Sequence, residues 1–308
     1  MKERLVIGTR KSPLALWQSE FVKASLEKLF PGVVIELKHI VTLGDKTQNS
    51  AAAIPSIGGK GLFTAELEES LIRGEIDLAV HSLKDLPTSL APQFAVGAIP
   101  RRASVDDVVI SRSGAQLAML PAGSAVGTSS LRRSSQILRA RPDLVIRHIR
   151  GNVDTRIRKL RADEKEYDAI VLARAGLDRL GLSEQITEVV SHNVMLPAPG
   201  QGALGIECRS EDSIVREMLA RLHDVDTAAA VNAERSFLAA LNAGCNTPVG
   251  ALACVDGERV RFSGRCLSPD GTRCIETQGE CRRGDEIVLG QRMADETRSQ
   301  GFSELQCA

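Results

Sequence analysis

Apolar positions along the first hundred residues fall into alternating strand and helix patterns. Leu5-Val6-Ile7 reads as a strand, and Ser12-Pro13 opens a helix with Ser at the N-cap and Pro at the first helical position. Leu14, Trp17, Phe21 and Leu29 give that helix one apolar side, and Pro31-Gly32 stops it. A second strand is expected over 33–41, a glycine-rich loop at Ile57-Gly58-Gly59-Lys60-Gly61, a helix over 62–73 and a buried strand over 76–80. A further set follows, with strands at 108–110, 125–127, 144–146 and 169–172 and helices over 129–139 and 153–161. Pro197, Pro199, Gly200 and Gly202 mark a break, after which 203–206 is one more strand, placed to join the first sheet. Strands alternating with helices imply parallel βαβ units. The pattern then changes to an Ala-rich helix over 228–242, short strands around Ala251, Arg261 and Ile275, and a last helix near 287–298, which reads as a small α+β domain.

Length and composition narrow the classes. A chain of 308 residues with 43% hydrophobic and 25% charged residues builds sizeable cores in two or three domains and is not disordered. Thirty-nine basic residues balance thirty-nine acidic ones, which argues against a nucleic-acid coat or an acidic-lipid binder. Only nine residues are aromatic, too few for base-stacking platforms. No apolar run has the length of a membrane span, and the start enters a strand pattern at once, so a cytoplasmic protein is expected. All seven cysteines lie beyond residue 200 without a C-x-x-C pair, so no metal site is expected and most should be small buried apolar residues.

Arginine is the strongest chemical signal. Residues 130–179 hold thirteen Lys or Arg against seven Asp or Glu. Solvated helix faces account for about half of these on ordinary grounds. The others sit at strand-to-helix junctions: Arg132 and Arg133 after Gly127-Thr128-Ser129-Ser130, Arg150 before Gly151-Asn152, and Arg156 one turn into the next helix. Carboxyl ends of strands and the helix N-termini beside them line the ligand crevice of an open α/β sheet and favour anions. Guanidinium forks bind carboxylates bidentately, so a polycarboxylate or phosphorylated ligand is the physical inference. The first domain adds Arg10 and Ser12 after its first strand, Lys60 in a loop without Walker spacing, and Ser82, Lys84 and Asp85 at the end of its third. His81 is either a base or a satisfied structural histidine. Asp85 is either a turn former before Pro87 or a carboxylate that stabilises positive charge on a substrate. Cys245, after the helix-terminating Gly244, is either an inert thiol or one presented to a crevice.

Seven stretches in one order resemble the porphobilinogen deaminase (hydroxymethylbilane synthase) family over nearly the whole chain. They begin at Gly8-Thr9-Arg10-Lys11-Ser12-Pro13-Leu14-Ala15, Gly58-Gly59-Lys60-Gly61-Leu62-Phe63 and Ala79-Val80-His81-Ser82-Leu83-Lys84-Asp85-Leu86-Pro87. They continue at Gly127-Thr128-Ser129-Ser130-Leu131-Arg132-Arg133, Arg150-Gly151-Asn152-Val153-Asp154-Thr155-Arg156, Gly200-Gln201-Gly202-Ala203 and Gly244-Cys245-Asn246-Thr247-Pro248. The resemblance implies an α/β fold: two periplasmic-binding-protein-like domains with a hinge, plus a small α+β C-terminal domain. The implied bounds are 1–99 with 199–218, then 100–198, then 219–308. It also implies a covalent dipyrromethane cofactor on Cys245. Porphobilinogen loses ammonia to give an azafulvenium electrophile, four rounds extend the chain, and hydrolysis releases a linear tetrapyrrole. Asp85 takes the catalytic role of stabilising the cations. Lys60, Ser82, Lys84, Ser129, Arg132 and Arg133 fall to the cofactor, and Arg10, Ser12, Arg150, Arg156 and Arg179 to the substrate. A monomer is expected, with no nucleic-acid or membrane partner. The chain departs from the family's usual pattern at Leu43, over 46–55, at Ser56, at Ala103-Ser104-Val105 and at Pro199, differences that bear on the 43–60 loop. A soluble two-lobed anion-binding receptor or sensor is the rival reading, and it has no use for Cys245 or Asp85.

Overall fold

The computed structural model describes residues 2–47, 64–243 and 247–305. Two compact units emerge: Met1–Ala103 with Ala203–Ala228, and Ser104–Gly202 with Ala229–Ala308. In the first unit the elements are β1 (Arg4–Thr9), α1 (Pro13–Leu29), β2 (Val34–His39), α2 (Leu43–Thr47), α3 (Ala65–Ile72), β3 (Leu78–Ser82) and β4 (Phe94–Ala98). The second unit opens with β5 (Asp107–Ser111), β6 (Ala125–Gly127), α4 (Leu131–Ala140), β7 (Val145–Arg147), α5 (Val153–Arg161), β8 (Ala169–Ala173), α6 (Arg174–Arg179) and β9 (Glu188–Val189). The chain then supplies β10 (Leu204–Arg209) and α7 (Ser213–Ala220) to the first unit, and α8 (Val225–Ala240) runs on into the second. It ends with β11 (Val249–Asp256), β12 (Arg259–Leu267), β13 (Cys274–Arg282), α9 (Glu286–Ser299) and α10 (Phe302–Leu305).

The fold class is the expected one: two α/β lobes, each built on a five-stranded sheet, and a small α+β C-terminal part. The first sheet has the order β2-β1-β3-β10-β4 and the second β7-β6-β8-β5-β9. The expectation of purely parallel units needs correction. β10 runs antiparallel to both β3 and β4, and β5 runs antiparallel to β8 and β9. Hydrophobic runs place residues inside a sheet but do not fix strand direction, which depends on where the chain enters. β4 was not foreseen, because Gly97 dilutes its apolar run. A side chain there would collide with Leu219 of α7, whose Cδ1 would lie 2.6 Å from the added carbon.

The apolar side assigned to α1 is also corrected. Gln18, Ser19, Val22 and Leu26 are its buried residues, while Trp17 and Phe21 stack on each other at 5.5 Å and remain about two-fifths exposed. Gln18 is tolerated inside because its amide donates to Ser82 Oγ at 2.8 Å.

In the C-terminal part, β11, β12 and β13 form an antiparallel meander. One face packs on α8 and α9 through Val260, Phe262, Cys266, Phe237, Leu289 and Met293. Glu234 of α8, 1% exposed, accepts the N–H of Gly200 at 2.7 Å and of Ala253 at 2.9 Å, fastening the 197–202 segment to β11. Phe237 is fully buried with its ring 5.0 Å from Phe262. Phe237→Ala should therefore destabilise this unit by about 3–5 kcal/mol. Urea unfolding followed by far-UV circular dichroism measures it, and a loss below about 1 kcal/mol would place the ring outside the core.

Candidate active site

Topology decides which side chains meet. In the first unit β1 lies parallel between β2 and β3, so its end and that of β3 share one sheet edge. Arg10 leaves β1 there and grips Asp45 of α2, with Nη2 2.5 Å and Nε 3.1 Å from Oδ1. Thr42 Oγ1 adds a bond to Asp45 Oδ2 at 2.8 Å. Burial pushes the Asp45 carboxyl up, but the bonds from Arg10 and Thr42 outweigh it and hold it below the ordinary carboxylate range. Ser12 caps α1 by accepting the Ala15 N–H at 3.3 Å. Ser82 ends β3, and the next residues, Leu83–Asp85, make one tight 3-10 turn with Lys84 half-buried and Asp85 exposed. Asp85 thus stands on the edge that carries Arg10. His81 turns inward instead: its Nε2 lies 2.9 Å from Glu207 Oε2, with both residues buried, which is the structural alternative.

In the second unit β7, β6 and β8 are parallel neighbours. Their carboxyl ends lead into Ser129, Arg132 and Arg133, into Arg150 and Arg156, and into Arg179. The six predicted residues of this unit therefore all follow the carboxyl ends of neighbouring parallel strands, five of them beside the N-termini of α4 and α5 and Arg179 at the far end of α6. Ser129 Oγ bonds the backbone of Ile149, donating to its carbonyl at 2.8 Å and accepting its N–H at 3.1 Å. Arg150 is exposed, and Arg156 Nε donates to Gly151 O at 2.8 Å. Arg179 Nη2 donates to Gly202 O at 2.7 Å. Burial pulls its pKa down to about 10, against the pull of Asp178, so it stays cationic at neutral pH.

Arg132 and Arg133 sit deeper than a sequence reading suggests, each 6% exposed. Arg132 Nη1 bonds Asp107 Oδ2 at 2.6 Å and Leu196 O at 2.7 Å. Arg133 Nη2 bonds Asp107 Oδ1 at 2.7 Å, and its Nη1 bonds Val171 O at 3.0 Å. Gln201 Nε2 reaches the same Oδ1 at 3.1 Å. Asp107 is the residue that sequence reasoning missed. It opens β5, and because β5 is antiparallel to β8, Asp107 pairs with Ala173 at the edge where the parallel strands end. A charge directly before Val108-Val109-Ile110 was the available signal. Two guanidiniums against one carboxylate leave an excess positive charge in a dry place, and burial lowers the pKa of Arg132 despite Asp107.

Lys60 and Cys245 lie outside the described residues, as does most of the 43–60 loop. Of the other cysteines, Cys208 and Cys266 are buried and burial raises both thiols, Cys208 to about 11. Cys274 and Cys281 are half-buried and Cys254 is exposed, so among the described cysteines burial is not the rule that was expected for most of them. Among the described residues no cluster of His, Cys, Asp and Glu is fit to hold a metal ion.

The fold and these groups define a class: a two-lobed α/β protein with arginines after the strand ends of one lobe and an exposed carboxylate after a strand end of the other. Comparison with known proteins narrows it. The family model described as "Porphobilinogen deaminase, dipyromethane cofactor binding domain" matches residues 5–217, and "Porphobilinogen deaminase, C-terminal domain" matches 228–298. A porphobilinogen deaminase of Pelotomaculum thermopropionicum is 45% identical over 305 residues, covering 99% of this chain and 96% of its own. One from Roseiflexus sp. is 46% identical over 305 residues, covering 99% of both. The chain belongs to the porphobilinogen deaminase family.

Asp107→Asn keeps the shape and removes the charge that faces both arginines. The variant should lose about 3–5 kcal/mol of stability, because two buried cations then lack a counter-charge. A thermal or urea midpoint equal to that of the parent chain would mean that water, not Asp107, solvates them.

Proposed function

We propose that this chain is a transferase that condenses four porphobilinogen molecules head to tail with loss of ammonia, and then releases hydroxymethylbilane by hydrolysis. The observation that carries this reading is that Ser129, Arg132, Arg133, Arg150, Arg156 and Arg179 all follow the carboxyl ends of neighbouring parallel strands of the second sheet. Each pyrrole ring of substrate or product bears two carboxylates, and strand-end guanidiniums beside helix N-termini are the groups that hold them. The dipyrromethane named in the family model fits the same donor set, since it too is a polycarboxylate. When bound it supplies the pyrrole α-carbon to which each new unit is joined.

The chain's own residues divide the remaining work. Cys245 carries the covalent link through its sulfur. Lys60, Ser82, Lys84 and Ser129 hold cofactor carboxylates, and Arg132 and Arg133, fixed by Asp107, give that place a permanent positive field. Arg10, Ser12, Arg150, Arg156 and Arg179 receive the acidic side chains of the incoming substrate. Asp85 lies on an exposed turn where a carboxylate stabilises the cation formed as ammonia leaves. The receptor reading accounts for the arginines but gives Asp85 no task. A cytoplasmic monomer of three domains, 1–99 with 199–218, 100–198 and 219–308, completes the proposal, and no described helix is long and apolar enough to cross a membrane.

Two measurements test this. Purified protein mixed with porphobilinogen should release ammonia, and Asp85→Asn should slow release by about two to three decades, the loss typical of one electrostatic group worth roughly 3–4 kcal/mol. Unchanged turnover in that variant would remove Asp85 from the chemistry. Intact-mass spectra should show the chain heavier than its sequence by two pyrrole units, and Cys245→Ala should return it to the bare mass without activity. Added mass that persists in the Ala variant would put the attachment elsewhere.

A further inference from the structure

The C-terminal sheet sends one arginine into the lobe that carries the cation edge. Along β12 alternate residues face opposite ways. Val260, Phe262 and Cys266 face the helices, so Arg261 and Arg265 share the other face. Arg261 is exposed and pairs loosely with Asp256 at 3.4 Å. Arg265, four residues on, is 8% exposed. Its Nε bonds Glu276 Oε1 at 2.6 Å, its Nη1 bonds Gln136 Oε1 at 3.0 Å and Val194 O at 3.1 Å, and its Nη2 bonds Asn193 O at 3.0 Å. A neighbouring turn presses on the same helix: a side chain at Gly271 would lie 2.4 Å from Ser135 O.

Gln136 of α4 extends the network. It is 1% exposed, and all of its amide is engaged. Oε1 accepts from Arg265 and from the Leu196 N–H at 2.8 Å, while Nε2 donates to Arg132 O at 3.0 Å and Leu196 O at 3.1 Å. Two donors facing one end and two carbonyls facing the other fix which way the amide points. Leu196 O is also the carbonyl that accepts Arg132 Nη1. Hydrogen bonds thus run without a gap from β12 through Gln136 and Leu196 to Arg132 and Asp107.

The geometry points to Arg265 as a positioning residue, through which the C-terminal domain sets the Arg132 guanidinium and so the field of the ligand edge. A guanidinium that shares its carboxylate with a second one depends on its carbonyl acceptor. Arg265 holds the 193–194 carbonyls and Gln136, and these hold Leu196 O in place. The inference rests on the reading that this edge receives the polycarboxylate, and it adds a residue that touches neither cofactor nor substrate.

Arg265→Met in the full chain keeps the unbranched apolar stem and removes every donor. Ammonia release and intact mass are measured beside Glu276→Gln, which alters only the partner on the solvent side, 55% exposed. Arg265→Met should lower kcat about tenfold with KM within about twofold, and should lower the fraction of chain carrying cofactor. Glu276→Gln should match the parent chain. Arg265→Lys should recover part of the loss at most, since an ammonium cannot reproduce the fork. Gln136→Glu guards against a simple folding defect. It keeps the one oxygen that accepts from Arg265 and the Leu196 N–H, but replaces the donor to Arg132 O and Leu196 O. It should reproduce the fall in kcat with the Arg265 contacts intact. Parent-like turnover and loading in Gln136→Glu would overturn the inference, even if Arg265→Met unfolds, and so would parent-like values in Arg265→Met. A parent chain that releases no ammonia would instead sink the functional reading, and the inference with it.

Discussion

One buried carboxylate faced by two buried guanidiniums is the constraint on which the second lobe depends. Asp107 is 1% exposed, and Arg132 and Arg133 both bond it directly. Neither arginine would stay in so dry a place without it. Neither would the carboxylate alone satisfy them, which is why backbone carbonyls of Val171 and Leu196 complete the arrangement. Such a pairing adds little to stability compared with an apolar core, yet it fixes geometry, because each partner has few other places to go.

That constraint orders the start of α4. β6 and β7 end in register, β8 runs on to Ala173, and the antiparallel β5 begins opposite that end of β8. Two arginines that follow β6 therefore meet an acid delivered by β5. Arg132 and Arg133 are held by it, whereas Arg150 remains exposed on the same edge. A fixed inner pair and more accessible outer residues suit a ligand whose charge grows as units are added. The first lobe repeats the theme with Arg10 against Asp45, leaving Asp85 exposed on the turn after β3.

The C-terminal part is fastened to the second sheet's lobe by buried charge. Glu234 fastens the 197–202 segment to β11 through two backbone N–H groups, and Arg265 fastens 193–194 and α4 to β12. Both use buried charge against backbone groups, a combination that holds loops in one place when apolar contact is small. The contacts reach the middle of α4, one turn beyond Arg132.

The sequence by itself determined the elements and the chemistry of the edge. Apolar periodicity located most strands and helices to within a few residues, with Val153–Arg161 reproduced residue for residue. Junction arginines and the Lys84-Asp85 turn were legible because Gly, Ser and Pro punctuate the chain beside them. Periodicity is local, however, and says nothing of direction or of partners distant along the chain. The antiparallel course of β5 and β10, the inward face of α1 and the exposure of Cys254 were settled by packing. So were the contacts of Asp107 with Arg132, 25 residues away, and of Arg265 with Gln136, 129 residues away. A buried charge is stable only with its partner, and which partner it meets depends on strand order, which exists only once the sheets have formed.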